Sequence, residues 1–397
     1  MQRILSLLLS LCLLLPLSRP FAFSEKRRVS VLAVGDNIVH GAVYADAGRS
    51  AASRASTDGE SEAYSFDSMY ENVAAIVAAA DLAIINQEGP VTSRAPSGYP
   101  LFNAPSELAK ALARTGFDVV NLANNHALDM DTGKHSGGLR DTLALFRERG
   151  VTPIGTYANA EERDAITVIN KNGLRVALLS YTFFTNGLTE PSEADWGVHR
   201  WEESVVRRDM SRAKDLADFV LVSVHWGEEG TSTPNETQRN AAALLASLGA
   251  DVILGHHSHT LQPIEWIERE GGGRTLVAYS LGNFLSAMLY PQYMVGGMLT
   301  FTLVANEKGH TVEEVRFTPT VCHYERAVSS ATDGRTLKTR WGLSVYPMSA
   351  YTEELANRHG ATLYANFSFD TLRGFVRDTI PAEFLSESDA LGAHLVE

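Results

Sequence analysis

Short apolar segments alternate with helical segments through the first two thirds of the chain, and this alternation constrains the fold more than any other feature. The apolar segments have the length and the Val, Ile and Leu content of buried strands: Val29–Val34, Leu82–Ile85, Asp118–Asn121, Leu174–Ser180, Phe219–Val224 and Asp251–Leu254. The segments between them place apolar residues at helical spacing: Phe66–Ala80, Ser106–Thr115, Gly138–Arg149, Glu202–Leu216 and Asn235–Leu248. Strands that alternate with helices predict an α/β fold whose sheet is joined by crossover connections.

Beyond Pro263 the predicted strands follow one another without helices between them: Ile264–Glu268, Thr275–Tyr279, Gly297–Val304 and Val312–Val321. This change predicts a second sheet packed on the first, in a four-layer α/β/β/α sandwich. Residues 323–397 have no clear motif, and two helical segments, Tyr351–Arg358 and Phe369–Thr379, predict a C-terminal helical cap there. Residues 46–65 are rich in Ala, Ser and Gly, which predicts a surface loop or a disordered insertion.

Residues 1–24 have the features of an export signal. Arg3 precedes the apolar stretch Ile4–Leu17, and Ala22-Phe23-Ser24 offers small residues where a signal peptidase cuts. We therefore expect cleavage after Ser24, a main domain at 25–322, and export to the periplasm, the cell surface or the medium. The alternative is a retained N-terminal anchor, although the stretch is short for a membrane span of about 20 residues.

The chain carries 47 acidic and 34 basic residues, which gives a net charge of -13 with neutral histidines. Such a surface repels phosphate backbones at long range, which argues against sequence-independent binding to nucleic acids. An anionic substrate is compatible with this charge, because a bound metal reverses the sign locally.

Polar residues follow five of the predicted strands, often next to a glycine. They form the motifs Gly35-Asp36-Asn37, Asn86-Gln87-Glu88-Gly89-Pro90, Asn124-Asn125-His126-Ala127-Leu128-Asp129, His225-Trp226-Gly227-Glu228 and Gly255-His256-His257-Ser258-His259. In open α/β sheets, ligands bind where the loops at the carboxyl ends of the strands converge. Because carboxylate and imidazole groups are metal ligands, these motifs predict a metal or former metal site built from loops.

Each of these residues also has a structural interpretation. An aspartate after a strand, such as Asp36, is more often a cap than a ligand, and Glu88 before Gly-Pro fits a turn. His126 fits a hydrogen-bonded corner. The pair His257 and His259 is harder to explain by packing, because alternate residues place both imidazoles within reach of one cation.

These motifs, followed by Ser280-Leu281-Gly282-Asn283-Phe284, stand in an order that resembles the CapA/PgsA family. The members of that family are bacterial envelope proteins linked to poly-γ-glutamate capsule synthesis, and the resemblance covers roughly residues 29–290. The family in turn resembles the calcineurin-like metallophosphoesterases, which have a four-layer α/β sandwich and a dinuclear metal site. The resemblance therefore implies this fold, with a C-terminal extension.

The resemblance also implies roles for single residues. Asp36 occupies the position of a ligand of the first metal, and Glu88 occupies the position of the bridging carboxylate. The other metal ligands that it implies are Asn125, His225, His257 and His259. One or two divalent cations of the Mn, Fe or Zn type would then activate a water. His126 falls on the catalytic histidine that supports the leaving group by donating a proton.

The chain departs from the superfamily pattern at several positions. Ile38 stands where metallophosphoesterases have a histidine, and His40 is a weak substitute because it lies in a different direction. Glu88 is one methylene longer than the usual aspartate, and His256 stands where glycine is preferred, so we expect His256 to support a ligand or meet substrate. In the CapA-like pattern, Glu229-Gly230 stands where Glu-Tyr is common. These departures are compatible with one cation, two unequal cations or none.

Further candidates for contact with substrate or with the ligands are Asn103, Asn283 and Asp129. For Asn103 and Asn283 a role in closing a turn is an equal alternative. Trp226 is open to two interpretations, because it either lines a groove or fills the core.

Three functions remain open on the sequence alone. The first is an extracytoplasmic, metal-dependent enzyme of the hydrolase type that builds, releases or anchors an envelope polymer such as poly-γ-glutamate. The second is a non-catalytic assembly factor that holds the polymer or a capsule synthase. The third is a secreted metallophosphoesterase. The expected partners are an anionic envelope polymer or its precursor and a membrane-bound synthase.

Overall fold

The computed structural model describes residues 27–58, 62–133, 136–307, 309–330 and 336–386, so the predicted export signal lies outside the described residues. The strands of these ranges are β1 Arg27–Ile38, β2 Leu82–Glu88, β3 Val91–Thr92, β4 Ala104–Pro105, β5 Val119–Asn121, β6 Thr152–Ile154, β7 Thr156–Tyr157, β8 Thr167–Lys171, β9 Leu174–Thr182, β10 Gly197–Val198, β11 Phe219–His225, β12 Val252–His256, β13 Ile264–Glu268, β14 Arg274–Ala278, β15 Asn283–Leu285, β16 Val295–Asn306, β17 Gly309–Ser330 and β18 Thr336–Pro347. The α-helices are α1 Gly41–Asp58, α2 Asp67–Ala78, α3 Glu107–Thr115, α4 Gly138–Glu148, α5 Ala160–Asp164, α6 Glu203–Leu216, α7 Glu236–Ser247, α8 Glu353–Arg358 and α9 Phe369–Thr379. Across the described ranges, no helix is both long enough and apolar enough to span a bilayer.

Two large sheets form the centre of the molecule. One sheet has the strand order β18-β17-β16-β1-β2-β5-β6, with β15 also paired to β1, and the other has the order β13-β14-β12-β11-β9-β8. Strands β1, β2, β5 and β6 are parallel to one another, and so are β9, β11, β12 and β14. The carboxyl ends of each parallel set therefore meet at one edge of its sheet.

Alternation of side chains along the strands explains how the layers pack. Val220 of β11 packs with Met210 of α6 and Leu245 of α7 on the outer face of the six-stranded sheet. The next residue, Leu221, faces the other way and joins a core that also contains Leu32 of β1. Helices α2, α3 and α4 cover the far side of the eight-stranded sheet. The layer order is helix, sheet, sheet, helix, which confirms the predicted α/β/β/α class.

The strands beyond Pro263 do not form a sheet of their own, so that part of the prediction is wrong. Strands β13 and β14 extend the six-stranded sheet, whereas β16, β17 and β18 extend the eight-stranded sheet. The junction is the antiparallel pairing of β16 with the segment Arg27–Val34 of β1. Antiparallel strands joined by short turns can add to an existing sheet edge as readily as they form a new sheet. The sequence pattern therefore could not show which sheet these strands join.

The prediction of a surface loop or a disordered insertion at residues 46–65 is wrong for residues 46–58, because α1 extends to Asp58. Val43, Ala47 and Ala51 are buried and lie four residues apart, which places them on one face of the helix. Alanine has the highest helix propensity, and this compensates for the small apolar face.

The C-terminal part begins as sheet before it becomes helical. Strand β17 passes through residues 322 and 323, where the domain boundary is predicted, and continues to Ser330. Helices α8 and α9 lie where the sequence pattern indicates helices, and they pack on β17 and β16 respectively.

Candidate metal centre

The polar ends of strands from both sheets converge on one buried site. Asp36 lies near the end of β1, Glu88 ends β2, and His225 and His256 lie at the ends of the neighbouring strands β11 and β12. The side chains of the six predicted metal ligands are all buried, with at most 6 % exposure: Asp36, Glu88, Asn125, His225, His257 and His259. The two sheets thus bring together residues that are far apart in sequence.

A close backbone approach positions the first aspartate. The N–H of Asp36 donates to the carbonyl oxygen of Gly282 at 2.9 Å. A Cβ atom at Gly35 would overlap that same carbonyl oxygen, so only glycine fits there.

Asp36 lies at the centre of a set of hydrogen bonds. Its Oδ1 accepts from Asn86 Nδ2 at 2.8 Å and from His256 Nδ1 at 3.1 Å. Its Oδ2 accepts from the backbone N–H of His257 at 3.2 Å and from His259 Nδ1 at 3.0 Å. Burial by itself raises the pKa of Asp36, but the hydrogen bonds from His256 and His259 outweigh it and hold the pKa well below its ordinary value. This carboxylate is therefore ionised.

Glu88 completes a first group of donors. The ligand atoms of Asp36, Glu88 and His259 all lie within 4.8 Å of one another. Burial raises the pKa of Glu88 to about 7. Its Oε1 lies 3.8 Å from His259 Nε2, and its Oε2 is buried without a hydrogen-bond partner among the described residues. A buried carboxylate oxygen without a partner is costly, and a cation would satisfy it. The donor set of two carboxylates and one imidazole fits a divalent metal.

Neutral histidines form a second group of donors. His225 Nε2 lies 2.9 Å from Asn125 Oδ1, and the rings of His225 and His257 are 4.8 Å apart. Burial lowers the pKa of His225 well below its ordinary value and lowers that of His257 to about 3. Both rings are therefore neutral at pH 7, and the Nδ1 atom of each is buried without a hydrogen-bond partner in the described ranges. A neutral imidazole nitrogen is a common metal ligand.

The backbone of the histidine motif adopts a conformation that non-glycine residues rarely take. The φ angles of His257 and His259 are +98° and +57°. Such residues persist where the surrounding structure demands them, and they cluster at functional sites. Here the unusual backbone allows the N–H of His257 and the ring of His259 to contact the same oxygen of Asp36.

His126 is held beside the first donor group by an aspartate. Its Nδ1 lies 2.7 Å from Asp129 Oδ2, which also accepts from the N–H of Phe102 at 2.7 Å. Its Nε2 lies 4.0 Å from Glu88 Oε1. Burial lowers the pKa of His126, but the hydrogen bond to Asp129 outweighs it and the pKa is raised. His126 is thus placed to donate a proton at the edge of the site.

A chain of buried polar side chains behind Asp36 escaped the sequence interpretation. Asn121 Nδ2 donates to Asn86 Oδ1 at 2.8 Å, and the hydroxyl of Ser180 donates to Asn121 Oδ1. Asn86 in turn holds Asp36. The signal was present, because Asn86 and Asn121 both stand at polar strand ends, but nothing in the sequence shows which of them contact Asp36.

Glu229 was also missed as a donor. A carboxylate oxygen of Glu229 and ring nitrogens of His257 and His259 lie within 4.8 Å of one another. The residue is exposed, and it directly follows the motif that ends β11. The available signals were its adjacency to that motif and its place in Glu229-Gly230, which stands where the CapA-like pattern commonly has Glu-Tyr.

The remaining candidates lie in structural positions. Asn103 Nδ2 donates to the carbonyl of Ala95 at 3.0 Å and its Oδ1 accepts from the Thr92 hydroxyl at 2.9 Å, so the side chain closes the loop between them. Asn283 pairs with Asp36 across β15 and β1, and its Nδ2 donates to the carbonyl of Tyr293.

Trp226 fills the core, because it is fully buried and its Nε1 donates to the carbonyl of Tyr279 at 3.0 Å. The interpretation of Trp226 as a groove residue is wrong.

His40 accepts from the backbone N–H of Ala287 at 3.4 Å and packs edge-on against Phe102. Burial lowers its pKa to about 3, so the ring is neutral, and His40 belongs to neither donor group.

Comparisons with known proteins identify relatives. The family model described as "Bacterial capsule synthesis protein PGA_cap" matches residues 30–288. "Capsule biosynthesis protein CapA" of Bacillus anthracis is 33% identical over 233 residues, which cover 56% of this chain and 54% of that protein. "PGA biosynthesis protein CapA" of Bacillus subtilis (strain 168) is 31% identical over 249 residues, which cover 61% of this chain and 63% of that protein. The chain thus spans less than two thirds of the length of each of these relatives.

Two solved structures from Thermus thermophilus are distantly similar. A hypothetical protein aligns with a TM-score of 0.42 and 15% identity, covering 73% of this chain and 98% of that one. A 5'-nucleotidase precursor aligns with a TM-score of 0.39 and 15% identity, covering 88% of this chain and 59% of that one. The family match, by contrast, covers more than half of this chain and includes every candidate metal ligand. The protein therefore belongs to the bacterial capsule synthesis protein PGA_cap family.

Proposed function

We propose that the protein acts outside the cytoplasm in building, releasing or anchoring a capsule polymer of the poly-γ-glutamate type, through a metal-dependent site of the hydrolase type. The observation that carries the proposal is the meeting of Asp36, Glu88 and His259 in one buried cluster, with Glu88 Oε2 left without a partner in the described structure. Family membership indicates the process, and the donor cluster supports the chemistry.

We assign these residues to two ligand sets that would share Glu88. Asp36, Glu88 and His259 would hold one divalent cation, and Asn125, His225 and His257 would hold a second with Glu88 shared between them. When bound, cations of the Mn, Fe or Zn type would supply activation of water and stabilisation of negative charge on the reacting oxygens.

The chain's own residues would deliver the proton and limit access of water. Asp129 orients His126 through Nδ1, and Nε2, which lies 4.0 Å from Glu88 Oε1, would pass a proton to a leaving group. Phe184 packs edge-on against His257 with ring centroids 4.7 Å apart, and it covers that side of the site.

The substrate that this proposal favours is an anionic envelope polymer or its precursor, with a phosphoester or an amide as the bond cleaved. The chain has a net charge of -13, so a polyanion would depend on the bound cations to offset repulsion. A membrane-bound capsule synthase is the partner that we propose for delivery of the polymer, and we propose no nucleic-acid partner.

The first experiment is metal analysis of the purified full chain. We expect a stoichiometric transition metal, which Asp36→Ala or His257→Ala removes while Asn103→Ala, a change to a buried residue outside the donor groups, retains it. The same variants are then tested for formation of capsule polymer in a host that lacks its own copy. Protein that contains no metal and supports full polymer formation would refute the metal-dependent function.

A non-catalytic assembly role is the second candidate, and Ile38 is the observation that favours it. Ile38 is buried and apolar where a metallophosphoesterase has a histidine ligand. His126→Ala separates the two roles, because an enzyme should lose function while still binding polymer and metal, whereas an assembly factor should keep its function. Turnover of a simple aryl phosphodiester with added Mn²⁺ would instead favour the secreted metallophosphoesterase.

A further inference from the structure

Glu229 reaches the candidate metal centre from an exposed loop that follows β11. Its carboxylate lies within the same 4.8 Å grouping as ring nitrogens of His257 and His259. His259 also belongs to the group formed with Asp36 and Glu88. The two groups therefore share one residue and form a continuous set of donors from the buried interior to the surface.

The backbone on both sides of Glu229 is tied to the segment that carries the histidines. Gly230 N–H donates to the carbonyl of Ser258 at 2.8 Å. The carbonyl of Thr231 accepts from the Thr260 hydroxyl at 2.7 Å and from Gln262 Nε2 at 3.0 Å. Because these bonds join residues 230–231 to residues 258–262, Glu229 is held against His257 and His259 although its side chain is exposed.

Glu229 connects to the group of Asp36, Glu88 and His259 through His259, the residue that both groups contain. Asp36, Glu88 and His259 provide three ligand side chains, and the position of the histidine in the related enzymes holds the apolar Ile38. We infer that Glu229 is the additional ligand of the cation held by Asp36, Glu88 and His259, and that it takes the place of the absent histidine. This inference rests on the proposed metal-dependent function.

This assignment makes the two ligand sets chemically unequal. The set with Glu229 would offer three carboxylates and one imidazole, whereas the other set would offer two imidazoles, an amide and the shared carboxylate of Glu88. Oxygen donors suit Mn²⁺ and Mg²⁺, and imidazole donors suit Zn²⁺ and Fe²⁺. The set with Glu229 is therefore expected to select Mn²⁺ over Zn²⁺ relative to a centre that has a histidine at that position.

The test compares Glu229→Gln with Glu228→Gln in the full-length protein. Glu228 is the adjacent exposed glutamate and belongs to none of the groups of donors described above, so it is a matched control. Metal-free protein is titrated with Mn²⁺ alone and with Zn²⁺ alone by calorimetry, and the bound metal is counted by elemental analysis. We expect Glu229→Gln to weaken Mn²⁺ binding at one site by about 10-fold or more, as loss of a group that supports a metal does, while Glu228→Gln matches the wild type.

A second variant tests the selectivity. Glu229→His supplies the imidazole that the related enzymes have, so we expect it to bind Zn²⁺ more tightly than the wild type does and Mn²⁺ more weakly. Circular dichroism would show whether Glu229→Gln folds. If it folds poorly, the Mn²⁺ and Zn²⁺ affinities of Glu229→His still test the inference.

The outcomes separate this inference from the proposed function. Wild-type protein that binds Mn²⁺ or Zn²⁺ with an affinity that neither Glu229 variant changes would overturn the role of Glu229 and leave the metal centre intact. Wild-type protein that binds neither ion would overturn the metal-dependent function and this inference with it.

Discussion

Oδ2 of Asp36 lies 3.0 Å from Nδ1 of His259, although the two residues are 223 positions apart in the chain. Asp36 lies in the eight-stranded sheet, and His259 follows β12 of the six-stranded sheet. This contact joins the two halves of the sandwich at the candidate metal centre. The candidate ligands Asp36 and His259 are therefore also a contact between the two sheets.

The first prediction concerns Asn86, which holds Asp36 in place. Asn86→Ala removes the hydrogen bond to Asp36 Oδ1 and leaves Asn121 without its acceptor. We expect metal affinity to fall by about 10- to 100-fold, the usual effect of losing a group that orients a ligand. Calorimetric titration with Mn²⁺ would measure the change.

Asn103→Ala is the matched control, because Asn103 is equally buried but bonds only within its own loop. It should cost about 1–3 kcal/mol of unfolding free energy and leave metal affinity unchanged. Equal metal affinities for the two variants would contradict a positioning role for Asn86.

The second prediction concerns the pair formed by His126 and Asp129. Asp129→Asn removes the charge that holds the His126 pKa above its ordinary value. We expect the pKa of His126 to fall, so that less imidazolium is present at pH 7 and proton donation to the leaving group weakens. Titration of the histidine ring protons by NMR would report the pKa directly.

Metal content should not change in Asp129→Asn, because Asp129 contacts His126 and Phe102 rather than the donor groups. Polymer formation in the complemented host should decline in the same variant. An unchanged His126 pKa would show that the contact with Asp129 does not set the protonation state.

The third prediction concerns His359, which joins the C-terminal part to β17. Its Nε2 donates to the carbonyl of Cys322 at 3.0 Å, its Nδ1 accepts from the N–H of Ala361, and burial lowers its pKa to about 3. The folded state therefore does not take up the proton that the unfolded state binds below pH 6.5. Between pH 6.5 and pH 3, this residue makes stability fall by up to about 1.4 kcal/mol per pH unit.

We expect His359→Gln to flatten the decline of unfolding free energy between pH 6.5 and pH 5, as measured by urea unfolding at both values. The control is His310→Gln, since a hydrogen bond to Asp251 raises the pKa of His310 and its contribution to stability is lost only as the pH rises. If the unfolding free energy of His359→Gln declines with pH as steeply as that of the wild type, the buried His359 does not cause the decline.

The fourth prediction concerns Gly35, where β1 passes against Gly282. Gly35→Ala forces a Cβ into the carbonyl oxygen of Gly282, and we expect it to cost about 3 kcal/mol of unfolding free energy. Gly374→Ala is the control, because Gly374 lies within α9 and a Cβ there would meet only the end of the Arg377 side chain, at 4.0 Å. The control should stabilise the protein by about 0.5–1 kcal/mol. In thermal unfolding, we expect the Tm of Gly35→Ala to lie below that of the wild type and the Tm of Gly374→Ala to lie above it.

The central part of the fold was predictable because its signals are local. The apolar runs that became β1, β2, β9, β11 and β12 have strand length, and helical spacing identified α2, α3, α4, α6 and α7. The later strands could not be assigned to a sheet, because their hydrogen-bond partners, such as Arg27–Val34 for β16, lie far away in sequence.

The sequence by itself determined the α/β class and the residues that converge on the candidate centre, from Asp36 to His259. It could do so because parallel strands bring their carboxyl ends to one edge, whatever the length of chain between them. Only the tertiary structure decided that Glu229 faces His257 and His259 and that Asn86 holds Asp36. These contacts depend on loop conformation and on the packing of two sheets, where a shift of a few ångströms makes or breaks a hydrogen bond.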